Sequence, residues 1–192
     1  YAALEAGVTP RDCLNLAATL RREGVTIPLL LMGYYNPILS YGPEAFAQDT
    51  SAAGVDGLIV PDLPPEEADP LQSACERAGL ALVFLIAPTT SDERLAAIAQ
   101  ATTGFLYVVS RLGTTGAALQ AGPDVGALLD RARRYAATPI AVGFGVSTPD
   151  QARALAPLAD GVIVGSAIVE RAPLGAETLR AYVASLRAAA LG

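Results

Sequence analysis

Apolar residues along this chain gather in six short continuous runs: Pro28 to Tyr34, Gly57 to Asp62, Leu80 to Ala87, Gly104 to Ser110, Pro139 to Gly145 and Gly161 to Gly165. Each is rich in Val, Ile, Leu and aromatic residues and lacks apolar–polar alternation, which predicts strands buried on both faces. The stretches between them carry helix-start signals. Thr9-Pro10, Ser91-Asp92-Glu93 and Thr148-Pro149-Asp150 place an N-cap, a first-turn proline or early acids where a helix would open. Each return to a parallel neighbour needs a crossover, and a helix supplies it. The pattern therefore predicts an α/β fold with a parallel sheet, in a single domain over residues 1–192.

Two architectures satisfy that pattern, an open doubly wound sheet and a closed (β/α)8 barrel, the latter needing eight strands and about 250 residues. The chain opens on Tyr1, with no Met, and Tyr1 to Gly7 reads as the end of a helix stopped by a glycine. That beginning sets the expectation that the opening units of a barrel lie upstream. The loops at strand ends point the same way. Pro61-Asp62-Leu63-Pro64-Pro65 is a stiff turn after the second run, and Leu112 to Pro123 is the longest glycine-rich loop, after the fourth. Barrel enzymes place their working parts at such C-terminal strand ends. Gly143 to Ser147 follows the fifth run; Val164 to Ile168 follows the sixth and runs straight into a helical stretch. Small residues there let backbone N–H groups approach a ligand, and a helix N-terminus adds partial positive charge, so the pair suits a phosphate without any Lys. Each glycine alone could equally serve a tight turn. Taken as the loops after barrel strands seven and eight, the two runs leave two strands to be found upstream.

Composition narrows the chemistry. With 52% hydrophobic and 17% charged residues, 192 residues can build one sizeable core. The thirteen basic residues are all Arg, against nineteen carboxylates and a net charge of −6, so a phosphate-backbone footprint for nucleic acid is missing. The sequence has no His and no Lys, which removes His-assisted nucleophiles, His-ligated metal, Lys Schiff bases and the Lys-bearing P-loop from this stretch. Carboxylates, Tyr, Arg and backbone amides remain. Cys13 and Cys75 stand 62 positions apart in helical stretches and read as small buried apolar residues. No apolar run approaches the roughly 20 residues that cross a bilayer, and the N-terminus lacks a signal-peptide pattern, so a cytoplasmic location without membrane contact is expected.

Five segments, Leu31 to Ile38 (LMGYYNPI), Gly57 to Pro64 (GLIVPDLP), Tyr107 to Gly116 (YVVSRLGTTG), Gly143 to Ser147 (GFGVS) and Gly165 to Val169 (GSAIV), together resemble the tryptophan synthase α subunit family, in its order and across the whole chain. The last two are shared by several phosphate-binding barrels; the other loops are more specific. The resemblance implies an incomplete (β/α)8 barrel carrying strands 3 to 8 with their helices, from an enzyme of tryptophan biosynthesis. That enzyme cleaves indole-3-glycerol phosphate to indole and glyceraldehyde 3-phosphate by a retro-aldol reaction. The family uses a Glu on the second barrel strand and an Asp in the loop after it, both expected upstream of Tyr1, so the resemblance implies no catalytic residue in this chain and an inactive fragment.

The binding half of the site can be carried over. The resemblance assigns the phosphate to Gly116, Gly145, Gly165 and Ser166, and the pocket wall to Tyr34, Leu85, Tyr107 and Phe144. Apolar strand residues ordinarily pack a barrel interior; Tyr107 is the least ordinary, because a buried phenol needs a hydrogen-bond partner. Arg111 and Thr115 match the mobile lid, where closure excludes water. Asp62, the one acid at a strand's C-terminal end and otherwise a candidate base, falls with Pro64 and Glu66 at the interface with a β subunit. The resemblance further implies an α2β2 heterotetramer, no metal, and pyridoxal phosphate only on the β partner. The alternatives are another phosphate-binding barrel isomerase or epimerase, which would need acids, bases or metal ligands that are scarce here, and a non-catalytic partner-binding fragment. Without two of its strands a barrel cannot close, so the chain alone is expected to aggregate or misfold.

Overall fold

Strand and helix alternate along the chain as the hydrophobic pattern predicts, in a computed structural model that describes residues 5–109, 123–143 and 145–192. Two compact units divide it, Tyr1–Phe84 with Thr102–Gly104, and Leu85–Ala101 with Phe105–Gly192.

The first unit runs α1 (Pro10–Arg22), β1 (Leu30–Met32), α2 (Tyr35–Tyr41), α3 (Pro43–Ala52), β2 (Gly57–Ile59), a 3-10 turn at Pro65–Glu67, α4 (Asp69–Ala78) and β3 (Ala81–Val83). The strands are parallel in the order β1-β2-β3, with Leu30, Gly57 and Ala81 side by side. Helix α1 opens as its cap predicts: the Asp12 carboxylate accepts from the Thr9 N–H at 2.8 Å while Thr9 Oγ1 accepts from the Asp12 N–H. Its last turn holds Arg21, which donates to the carbonyls of Gly54, Val25 and Ile27 at 2.7, 2.8 and 2.8 Å and to the Asp56 carboxylate at 2.6 Å. Asp56 in turn accepts from the Leu29 N–H at 2.7 Å. One guanidinium thus ties the entries to β1 and β2 together. Gly57 is required where β2 meets β3, because a Cβ there would lie 2.8 Å from the Ala81 carbonyl oxygen.

The second unit runs β4 (Leu85–Ile86), α5 (Asp92–Ala101), β5 (Leu106–Val109), α6 (Pro123–Arg133), β6 (Ile140–Gly143), α7 (Pro149–Leu155), β7 (Gly161–Ile163), α8 (Ser166–Arg171), a 3-10 turn at Ala172–Leu174 and α9 (Ala176–Leu191). Its strands are parallel in the order β4-β5-β6-β7. Helix α5 starts at the predicted cap, with Ser91 Oγ accepting from the Arg94 N–H at 3.3 Å.

Three expectations need correction. The third apolar run is two strands, broken at Phe84. Thr103 Oγ1 accepts from the Leu82 N–H at 2.8 Å and Thr102 Oγ1 from the Phe84 N–H at 3.0 Å, so threonine hydroxyls take the place of a neighbouring strand along β3. Burial on both faces holds for most of β5 and β6 and fails at the ends of the sheet orders: β7 is half-buried throughout and Met32 of β1 is 61% exposed. Continuous apolar character marks a strand without saying what covers each face. Of the two cysteines, Cys75 is buried on α4 as expected, whereas Cys13 is only half-buried on α1. No helix among the described residues is long and apolar enough to cross a membrane.

Candidate functional site

Parallel register sorts the residues of β4 to β7 onto two faces. Ile86, Val108 and Val142 lie on one face and are fully buried, and α5, α6 and α7 supply the equally buried Leu95, Leu128 and Leu155. On the other face Leu85, Tyr107, Ala141 and Gly161 form one row, and Val109, Gly143 and Ile163 the next. This second face is largely half-buried and built of small residues around one large polar-tipped ring.

That ring is Tyr107, 6% exposed, tilted against Phe105 with centroids 6.4 Å apart. Its hydroxyl lies 3.2 Å from where a Cβ on Gly143 would sit, and that Cβ would also fall 2.7 Å from Ile163 Cβ. Gly143 is therefore a packing glycine, which admits both the neighbouring strand and the phenol. Burial pushes the Tyr107 phenol up from the ordinary tyrosine value. At neutral pH it keeps its proton, so it can donate a hydrogen bond and cannot act as a base.

Two residues beyond Gly143 and Ile163, which are register partners, stand Gly145 and Gly165. Both are exposed at the C-terminal ends of adjacent parallel strands. Gly145 has φ +77°, a left-handed conformation that side chains resist. Gly165 is different: φ is −112° and an added Cβ would meet nothing within 4 Å. Its smallness serves neither a turn nor internal packing, which leaves room beside the backbone for a ligand. Ser166 opens α8 directly after it and is exposed, and N–H groups in the first turn of a helix have no intrahelical acceptors. The loop after β6 is tied off on its far side. Gln151 Oε1 accepts from the N–H groups of Ser147 and Thr148 at 2.7 and 3.1 Å, while Thr148 Oγ1 accepts from the Gln151 N–H at 3.3 Å. A ligand in this loop must be met by residues before Ser147. Phe144, Arg111, Thr115 and Gly116 lie outside the described residues.

The remaining sequence-derived residues belong to the first unit. Tyr34 precedes α2, is 70% exposed, and lines an apolar cleft of about 330 Å³ with Cys13, Leu31, Met32 and Phe46. Asp62 accepts from the Tyr35 N–H at 2.9 and 3.2 Å, so its carboxylate caps α2 from 27 residues away. That is a structural duty within the first unit. Pro64 is half-buried and Glu66 exposed, on a turn anchored by buried Leu63. Sequence reasoning missed Gln151, although Thr148-x-x-Gln151 is a legible capping-box pattern. The reach of Asp62 to α2 has no local signal, because its partner is set by strand pairing.

Comparisons with known proteins agree with these strand-end motifs. Residues 1–190 match the family described as tryptophan synthase alpha chain. The tryptophan synthase alpha chain of Dehalococcoides mccartyi is 49% identical over 170 residues, covering 88% of this chain and 66% of that relative. The tryptophan synthase of Saccharomyces cerevisiae is 49% identical over 168 residues, with 87% and 24% covered. This chain thus spans about two thirds of the length of the first relative and about a quarter of the second. Among solved structures, tryptophan synthase from Mycobacterium tuberculosis superimposes with a TM-score of 0.88 at 43% identity, covering 98% of this chain and 72% of the other. Tryptophan synthase subunit alpha from Legionella pneumophila gives 0.85 at 38% identity, with 98% and 72% covered. With sequence, backbone and the loops after β6 and β7 in agreement, the chain belongs to the tryptophan synthase alpha chain family.

Proposed function

We propose that this chain carries the substrate-holding part of a carbon–carbon lyase that releases indole and glyceraldehyde 3-phosphate from indole-3-glycerol phosphate. The observation that carries this reading is the pair of exposed glycine loops at adjacent strand ends, Gly145 after β6 and Gly165-Ser166 after β7, beside a face holding a protonated buried phenol. In this reading the backbone amides near Gly145, Gly165 and Ser166, with the Ser166 hydroxyl and Gly116, hold the phosphate dianion. Leu85, Tyr107, Tyr34 and Phe144 wall the indole and glycerol moieties, and the Tyr107 phenol donates a hydrogen bond. Arg111 and Thr115 form the lid that excludes water.

Retro-aldol cleavage needs a proton delivered to indole C3, stabilisation of the indole N–H as charge develops, and removal of the proton from the glycerol hydroxyl next to the breaking bond. The reading gives these steps to a Glu and an Asp upstream of Tyr1, and only binding, orientation and closure to the residues of this chain. It numbers the six apolar runs as strands 3 to 8 of one (β/α)8 barrel domain, since phosphate loops follow strands 7 and 8 in such barrels. It places Asp62, Pro64 and Glu66 against a β subunit in an α2β2 assembly, with pyridoxal phosphate on the partner and neither cofactor nor metal here. The test is indole release from indole-3-glycerol phosphate by the full-length gene product and by the 192-residue chain. Release by the first and none by the second is expected; no release by the full-length product overturns the reading.

A further inference from the structure

The two glycine loops follow adjacent, paired strands, but Gly145 and Gly165 stand two residues past the last pair, Gly143 with Ile163, so contacts outside the sheet also bear on their spacing. On α9, Tyr182 donates its hydroxyl proton to the Ser147 carbonyl at 2.9 Å, reaching the loop after β6 from 35 residues away. At the end of α8, the Arg171 guanidinium lies over the Tyr182 ring, 4.1 Å from its centroid, and donates to the Ala167 carbonyl at 3.0 Å. Ala167 directly follows Ser166 and is buried. An unbroken chain of contacts therefore runs from the loop carrying Gly145, through a tyrosine and an arginine, to the first turn of the helix that Ser166 opens.

We infer that Tyr182 and Arg171 are positioning residues for phosphate binding, a brace that fixes the distance between the two loops. The inference rests on the phosphate reading given above. Neither residue needs to touch the ligand. A dianion held by amides from both loops gains only if those amides are preorganised, because each donor that must move on binding offsets part of the interaction. The geometry suits that task. Ser147 is held from both sides, its N–H by Gln151 and its carbonyl by Tyr182. Arg171 is held over the ring, where a cation on an aromatic face is attracted by its quadrupole, and its charge also sits at the favourable C-terminal end of α8.

Tyr182→Phe is the sharpest test, since it removes one oxygen, keeps the ring under Arg171 and leaves α9 helical. In the full-length gene product, calorimetric titration would compare glycerol 3-phosphate with indole, which has no phosphate. The expected result is affinity for glycerol 3-phosphate about five-fold weaker, the scale of one neutral hydrogen bond, with indole affinity unchanged and KM for indole-3-glycerol phosphate raised more than kcat is lowered. Arg171→Gln should act in the same direction. Unchanged glycerol 3-phosphate affinity, or equal weakening of both ligands, overturns the inference. Ser166→Ala serves as the reference: if it weakens glycerol 3-phosphate while Tyr182→Phe does not, only the brace fails, and if Ser166→Ala also has no effect, the phosphate reading falls and takes the brace with it.

Discussion

Gly143, Gly145 and Gly165 occupy three different physical situations, so the same substitution should have three outcomes. Alanine at 143 would drive a Cβ to 2.7 Å from Ile163 Cβ and 3.2 Å from the Tyr107 hydroxyl, so it should lower the melting temperature by several degrees through overpacking. Alanine at 145 meets a φ of +77° and should cost about 1–2 kcal/mol of backbone strain. Alanine at 165 meets nothing within 4 Å, so melting should change least while affinity for glycerol 3-phosphate falls about ten-fold or more. Thermal melts paired with titration separate the cases, and Gly165→Ala with unaltered phosphate affinity would count against the site. All three glycines were legible as a phosphate-loop pattern. Their division of labour was not, because it depends on which strand lies alongside and on the sign of φ.

Cys75 offers a second test at a single residue. Burial pushes its thiol up to about 11, from an ordinary value of 9.0. The native state therefore holds a proton that the unfolded chain releases once pH passes about 9, and stability is lost as pH rises from there toward 11. The contribution is fully present below pH 9, where both states are protonated. Denaturant titrations at pH 8 and pH 10 should show a decline that Cys75→Ala reduces, whatever that variant costs at pH 8. Equal declines in both proteins would remove the thiol as the cause.

At the scale of elements, what holds a helix end or strand entry is unevenly written in the sequence. Thr9-Pro10, Ser91 and Thr148-Pro149 announce their helices, since a cap acts within one turn. Thr148→Ala should cost about 1 kcal/mol by denaturant unfolding, the usual value of such a cap. It should also loosen the loop that Gln151 ties off. The break at Phe84 and the Asp62 cap on α2 were not legible, because the partners are 18 and 27 residues away and meet only through the fold. Arg21 is the extreme case. Nothing distinguishes it locally from its neighbour Arg22, yet it serves three carbonyls and Asp56. Arg21→Met should cost about 2–4 kcal/mol, since hydrogen bonds to charged groups run at about 1.5–3 kcal/mol each and the carbonyls left behind are only partly reached by water. Arg77→Met, which breaks an exposed pair with Glu44, should leave the unfolding midpoint nearly unchanged. A similar loss from both would mean that Arg21 acts through its charge alone.

Across the whole molecule, the alternation of runs and helices was legible because parallel strands demand crossovers, and all six runs hold strands, the third holding two. It could not say which strands end a sheet, since edge and centre share the same apolar composition. Among the described residues β1 pairs only with β2, and β7 only with β6. Among the described residues each of these strands thus has a strand partner on one side only, and in the first unit Met32 and Tyr34, 61% and 70% exposed, line an apolar cleft of about 330 Å³ beside β1. An edge of that kind pairs readily with any other chain. Expressed as these 192 residues, the protein should self-associate, with light scattering giving species larger than 19.6 kDa and growing with concentration. Leu31→Lys and Met32→Lys place a charge on successive, opposite faces of β1, so together they should reduce association whichever face is engaged, because a charged edge strand resists pairing. A monodisperse monomer at all concentrations, or association indifferent to both substitutions, would mean that the β1 edge is not what drives it.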